Sequence, residues 1–450
     1  MARRVFLWVI AAALLGAAGS AGEEQGPAPE PPAAKNLILY LATGMGQHHY
    51  RLLETLCEQE ERTPALAQCA KRLKMETSIL DGPVPDTPAA GSTLATGQKC
   101  PAGRLSVSPQ GEPLPTLLEE ARQSGCALGL VTLGDLTDGA ITAFAAHSSE
   151  PDDFEARARQ LFEAGIEVLV GKDREVFERA SDATGGPCLL TEMQEAGYTL
   201  VKGSRGDFLR VMKTPMVAFF EHTFRADRRA FPNESELPQI LYKVLSLLKG
   251  NPGGFLLIVE TPALDACCRI GDSAGVASEM LQLDEAVEAG LRFAGQSPET
   301  LVVVVSPHET GNLLTVEREL PRFVERFSAI RSSSVRADRE IGESASLARV
   351  LKIFQEVVGM PLEQPQAHRL SQLAPGPERV RAIAKLITRH LGGVLIIQDC
   401  PSARSVRCFV HGPGAEDWPE VMDNSELAPR LRRQLGLDRH EDIPSNSSVR

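Results

Sequence analysis

Short, mostly apolar runs alternate along the chain with longer segments that are apolar on one side only. The runs fall at Leu37–Leu41, Ala127–Thr132, Glu167–Val170, Gly254–Glu260, Leu301–Ser306, Val394–Gln398 and Arg407–Val410. Their length and β-branched content predict strands, and continuous rather than alternating apolarity predicts burial on both faces, as inside a parallel sheet. Between them, Leu114–Ser124, Asp152–Ala164, Glu236–Leu248 and Ser278–Ala294 predict helices. In the last of these Met280, Leu283, Val287 and Leu291 keep a helical period, so one face would pack on the sheet. The alternation predicts an α/β fold, with a mostly parallel central sheet and helices on both faces. In such folds ligands bind in the loops beyond the carboxyl ends of the strands.

The ends of the chain read differently. Arg3 and Arg4, the apolar stretch Val5–Ala18 and the small residues Gly19-Ser20-Ala21 predict a signal peptide over 1–21, and hence a secreted or periplasmic protein. The stretch is too short to span a bilayer. Residues 22–35 form a Pro/Ala-rich spacer, 36–437 a single domain, and 438–450 a polar, flexible tail. A net charge of −12 excludes a nucleic-acid partner, since no basic excess exists to neutralise a phosphate backbone. Nine cysteines, an odd number, leave at least one outside any intrachain disulfide, and none has the CxxC spacing of a structural zinc cluster. His48 and His49, at the start of a helix, are expected to face solvent.

Several strand ends carry chemistry. The first run closes on Ala42-Thr43-Gly44-Met45-Gly46, a Gly-rich turn. Asp86-Thr87-Pro88-Ala89-Ala90-Gly91-Ser92 is a small-residue segment suited to presenting a hydroxyl at a helix N-terminus, although an Asp-Thr-Pro step is also an ordinary helix cap. The run ending at Glu260 is followed by Asp265, then Cys267-Cys268-Arg269, and later by Ser278-Glu279-Met280 and Asp284-Glu285-Ala286-Val287. Val302–Val305 leads into Ser306-Pro307-His308-Glu309-Thr310-Gly311. Leu136-Thr137-Asp138-Gly139-Ala140 precedes Phe144-Ala145-Ala146-His147, and Phe409–Glu416 contains a Gly-Pro-Gly-Ala turn.

Taken together, these segments resemble the alkaline phosphatase family from about Asn36 to Leu437. The resemblance implies that Thr87 stands where the family carries its phosphorylated nucleophile. Glu260 and Asp138 match magnesium ligands, and Asp265 and His308 match zinc ligands. Thr43, Arg269, Pro307 and Pro401 stand where ligating Asp or His side chains are implied, and Ala140 where a hydroxyl ligand is. The acidic stretch Ser148–Asp153 replaces a region in which several bacterial members place a phosphate-binding arginine. The resemblance therefore implies magnesium or zinc as cofactors with binding reduced or lost, phosphate or a phosphomonoester as ligand, and a homodimer. The leading expectation is a pseudo-phosphatase with a binding or structural role. The alternative is a divergent metal-dependent phosphomonoesterase using Thr87. Arg269 is expected to pair with the surviving acids, Cys267 and Cys268 offer a different metal set with His308, and no base for Thr87 can be assigned from the sequence.

Overall fold

The structure, a computed structural model, describes residues 34–180, 187–202, 205–220, 236–343 and 345–437. The signal peptide, nearly all of the spacer and the tail expected from the sequence lie outside the described residues. Among the described residues fourteen strands are formed: β1 Asn36–Leu41, β2 Lys71–Glu76, β3 Ala127–Asp135, β4 Val168–Lys172, β5 Thr199–Lys202, β6 Met216–Phe219, β7 Phe255–Glu260, β8 Thr300–Val305, β9 Glu309–Thr310, β10 Leu314–Thr315, β11 Val394–Leu395, β12 Pro401–Ser402, β13 Val406–His411 and β14 Val421–Asp423.

Ten of them build one sheet in the order β14-β2-β13-β8-β1-β7-β3-β4-β6-β5. Only β13 runs against its neighbours; the other pairings in this sheet that do not involve it are parallel. β1, β7 and β8 are buried along their whole length, as their unbroken apolar runs predict. Helices cover both faces. Ile38 and Tyr40 of β1 face one apolar cluster with the helix Ser273–Gln296, while Leu37, Leu39 and Leu41 face the other with the helix Leu117–Gln123. Among the described residues no helix is long and apolar enough to cross a membrane.

Some sequence expectations are corrected. Val394–Gln398 is not a strand of the main sheet; Val394 and Leu395 pair with Thr315 and Leu314 in a separate ribbon. The run was short, and Gly392 and Gly393, both at positive φ, turn the chain away beforehand. The helix expected from Leu114 begins at Leu117, because Thr116 accepts from Glu119 N while Glu119 reaches back to Thr116 N. The helix expected from Ser278 begins at Ser273, capped by the Asp272 side chain on Gly275 N.

What matters for function is the common direction of β1, β3, β7 and β8. In register, Leu41 lies beside Glu260 and Val305, and Thr132 beside Glu260. The segments that follow, carrying Thr43, Asp138, Asp265 and His308, therefore leave the sheet at one edge. Residues more than two hundred positions apart meet there.

Candidate active site

Thr87 is the first residue of the helix Thr87–Thr96. Asp86 caps it by accepting from Ala89 N at 2.8 Å, so the cap and the hydroxyl position coexist in neighbouring residues. The helix lies so close to Gly139–Thr142 that a Cβ on Gly91 would stand 2.7 Å from Ala140 Cα, which explains the run of small residues. Thr87 is partly exposed, and its Oγ1 lies 2.8 Å from His308 Nε2. This pairing, across 221 positions of sequence, supplies the hydroxyl with a partner that sequence reasoning did not assign.

His308 itself is fully buried, and burial lowers its pKa to about 4, so the ring is neutral near pH 7. Its Nδ1 lies 3.1 Å from Thr310 Oγ1, and Thr310 Oγ1 donates to Asp265 Oδ1 at 2.5 Å. Thr310 was missed from the sequence. The signal was present, because positions two apart in an extended segment share a face. The other oxygen of Asp265, Oδ2, accepts from Arg269 Nε at 2.6 Å, the ion pair expected one helical turn apart. Pro401 stands in register with Thr310 through β12 and β9, and Pro307 precedes the histidine, so neither offers a ligating atom beside these groups.

The second cluster surrounds Glu260. Thr43 Oγ1 donates to Glu260 Oε1 at 3.0 Å, and Ala140 donates its backbone N–H to the same oxygen at 3.1 Å. Thr43 and Glu260 are both buried. Burial raises Glu260 to about 7 despite these donors, whose effect is to favour the carboxylate. Asp138 is exposed, and its side chain accepts from Gly139 N at 2.7 Å. The Gly-rich turn has its own reason. Gly44 has φ +95, and a Cβ there would approach Asp265 Cα to 2.9 Å, so the turn permits the helix carrying Asp265 to reach the strand end.

One further expectation is corrected. His49 is fully buried rather than solvent-facing; Gly46 N–H donates to its Nδ1 at 3.1 Å, so Nε2 carries the hydrogen and points to Cys268 Sγ at 3.2 Å. That contact takes Cys268 toward His49. Ser148–Asp153 holds no arginine, and Arg157, in the helix that follows, is buried and spends its guanidinium on the carbonyls of Thr137, Glu150 and Pro151. It braces the loop.

Whether these residues fit a metal pair is decided by their lone pairs. A zinc site takes three or four protein ligands. A guanidinium, which has no lone pair to offer, occupies the position beside Asp265, and Pro307 and Pro401 bring no ligating side chain. Among the described residues no three His, Cys, Asp or Glu side chains converge as a metal set. The donor set does not fit two zinc ions.

A largely parallel sheet brings the Thr87 hydroxyl, the His308 ring, the buried carboxyl of Glu260 and the half-buried one of Asp265 together beyond the carboxyl ends of its strands, an α/β architecture with its side chains gathered at one site. The chain belongs to the alkaline phosphatase family, whose sequence model matches residues 34–321. It is similar to alkaline phosphatase 3 of Bacillus subtilis, 24% identical over 426 residues that span 89% of each chain. Streptomycin-6-phosphate phosphatase of Streptomyces griseus is 28% identical over 357 residues, covering 65% of this chain and 76% of that protein. The crystal structure of Thermus thermophilus alkaline phosphatase superposes with a TM-score of 0.81 at 23% identity, over 94% of this chain and 96% of that one. The last likeness establishes the fold.

Proposed function

We propose that this chain is a pseudo-phosphatase: an alkaline-phosphatase-like protein that keeps the family's fold and pocket but not its two-metal turnover of phosphomonoesters. The observation that carries the reading is the Arg269 guanidinium on Asp265 at 2.6 Å. At that place the resemblance implies a zinc-binding histidine beside the aspartate. A fixed positive charge there repels a cation and satisfies the carboxylate that would have held it. The lost ligands Thr43, Pro307 and Pro401 act in the same direction. A bound metal ion is what would lower the pKa of the Thr87 hydroxyl and neutralise the leaving oxygen.

The role left to the pocket is binding or structure. Phosphate or a phosphomonoester is the ligand class that the family implies, export follows from the expected signal peptide over 1–21, and a homodimer is the default assembly. The competing reading is a divergent metal-dependent phosphomonoesterase in which Thr87 is the nucleophile and Asp138, Glu260, Asp265 and His308 hold one or two ions. Equilibrium dialysis of the mature protein against micromolar zinc and millimolar magnesium separates the two. The pseudo-phosphatase retains less than about 0.1 metal per chain, whereas one or two tightly held ions displaced by Asp265→Asn and His308→Gln would favour the competitor.

A further inference from the structure

We propose that Lys172 is a covalent binding site for uncharged aromatic aldehydes, its amine forming an imine with the carbonyl carbon inside a cavity two strands away from the candidate active site. The inference goes beyond the pseudo-phosphatase reading. It draws neither on Thr87 nor on the residues that match metal ligands.

The sheet builds the cavity. Lys172 is the last residue of β4, in register with Asp135 of β3, and on the other side of β4 its neighbour Gly171 lies beside Phe219 of β6. Phe220 N–H donates to the Gly171 carbonyl at 3.0 Å, which holds the second phenylalanine next to the lysine. Both rings are braced from behind, since Phe177 meets Phe219 edge-on with centroids 5.1 Å apart and Phe208 meets Phe220 edge-on at 5.6 Å. Beyond these strand ends opens a cavity of about 380 Å³, with Lys172, Phe219 and Phe220 in its lining and the exposed Glu175 and Glu178 at its rim. That is the size of a small-molecule site, about 300–1,000 Å³. Its place is also that of a ligand, at the carboxyl ends of parallel strands.

The surroundings make the amine reactive. Burial lowers the Lys172 pKa, against the opposing charges of Asp135 on β3 and of Glu279 on the helix Ser273–Gln296. Glu279 is itself buried, and burial raises it to about 7 although Lys172 draws it back. Desolvation thus disfavours both charges of the pair, and a proton passes between the two groups at small cost. A desolvated lysine beside an acid is the setting in which amines condense with carbonyls.

The step balances as a condensation. Glu279 takes a proton from the Lys172 ammonium, the nitrogen lone pair attacks the carbonyl carbon, and the C=O electron pair moves to oxygen. A proton then passes from nitrogen to that oxygen. Glu279 returns its proton to the resulting hydroxyl, water leaves with the C–O electron pair, and the nitrogen lone pair closes the C=N bond. Aldehyde and ammonium become iminium and water, with the Glu279 carboxylate as counter-ion. Charge and shape select the aldehyde. Arg174 is matched by Glu178 at 2.5 Å, and acids outnumber bases in the lining, so an anionic aldehyde is repelled. The two phenylalanines favour a flat ring.

The test is reductive trapping of the purified protein with benzaldehyde and sodium cyanoborohydride near neutral pH, read peptide by peptide in the mass spectrometer. Lys172 should acquire the benzyl group at least about tenfold faster than the exposed Lys249 and Lys352 of the same molecule. Acetaldehyde, which leaves the aromatic walls unfilled, should show that preference reduced severalfold, as should benzaldehyde with Phe220→Ala. Glu279→Gln should slow trapping at Lys172 at least about tenfold and flatten its pH profile, which a packing role for Glu279 would not do. Because the comparison among lysines is made within the unaltered protein, it holds whether or not each variant folds. Trapping at Lys172 no faster than at Lys249 and Lys352, an equal preference for both aldehydes, or a rate and pH profile that Glu279→Gln leaves unchanged overturns the proposal.

Discussion

Thr43 gives Glu260 a donor at the position where a second carboxylate would be its rival. The hydroxyl at 3.0 Å and the Ala140 N–H at 3.1 Å satisfy an oxygen that is shut away from water. Thr43→Asp therefore places two acids in one buried site, and an unpaired buried charge costs about 3 kcal/mol. Urea unfolding at pH 8, where both would ionise, should show a loss of that order, and an unchanged midpoint would mean that the site still expects a cation. The Arg269–Asp265 pair carries less weight in stability, because the guanidinium side chain is 39% exposed and such pairs contribute under about 1 kcal/mol. Its importance is in what it blocks. At this scale the sequence was partly legible. Residues four apart on a helix face one another, so the Arg269–Asp265 contact could be read, whereas Thr87 and His308 share no local pattern and meet only through the sheet. His49 was misread because residue type predicts exposure on average, and the strand-to-helix turn carried this ring inward to Cys268.

The elements deliver these side chains through close backbone approaches. The helix Thr87–Thr96 rests on Gly139–Thr142 at Gly91, and Ala140 in turn donates its N–H to Glu260. Gly91→Ala should therefore destabilise the fold by about 1–3 kcal/mol through overpacking. It should also raise the reactivity of the nearby pocket to hydrogen exchange, which can be followed at Ala140 and Ile141. No change in either would show that the two helices are free to separate. Strands with unbroken apolar runs were legible because burial on both faces confines polar residues, Asn36, Glu260 and Thr300, to their ends. β2 was not, since Lys71–Glu76 buries only Leu73 and Met75 and has the alternation of a half-exposed strand. β5 and β6, four residues each, are too short to show a period.

Across the whole molecule the fold was readable from the alternation of runs and amphipathic segments, while the pairing order of the sheet was not, because any of several orders buries the same strands. The charge balance has a consequence for stability. Burial raises Glu260, Glu279 and Asp173 each to about 7, above the usual carboxylate range. A carboxyl with a raised folded pKa stabilises the fold fully at low pH and loses that contribution as pH rises to the folded value. Burial lowers His49 to about 3 and His308 to about 4, which works the other way but fades above the ordinary histidine pKa of about 6.5. Between pH 6.5 and 8 the carboxyls prevail, and the thermal midpoint should fall across that window; a rise would mean that these acids are paired or ionised in solution. The claim on which the account turns is that the family's metal-driven chemistry has been replaced by bonds within the protein. The most direct measurement is hydrolysis of p-nitrophenyl phosphate by the purified protein with saturating zinc and magnesium, beside the same protein in EDTA and its Thr87→Ala variant. The account predicts three indistinguishable rates at the level of buffer. Turnover that appears with metal, disappears in EDTA and is abolished by Thr87→Ala would contradict it.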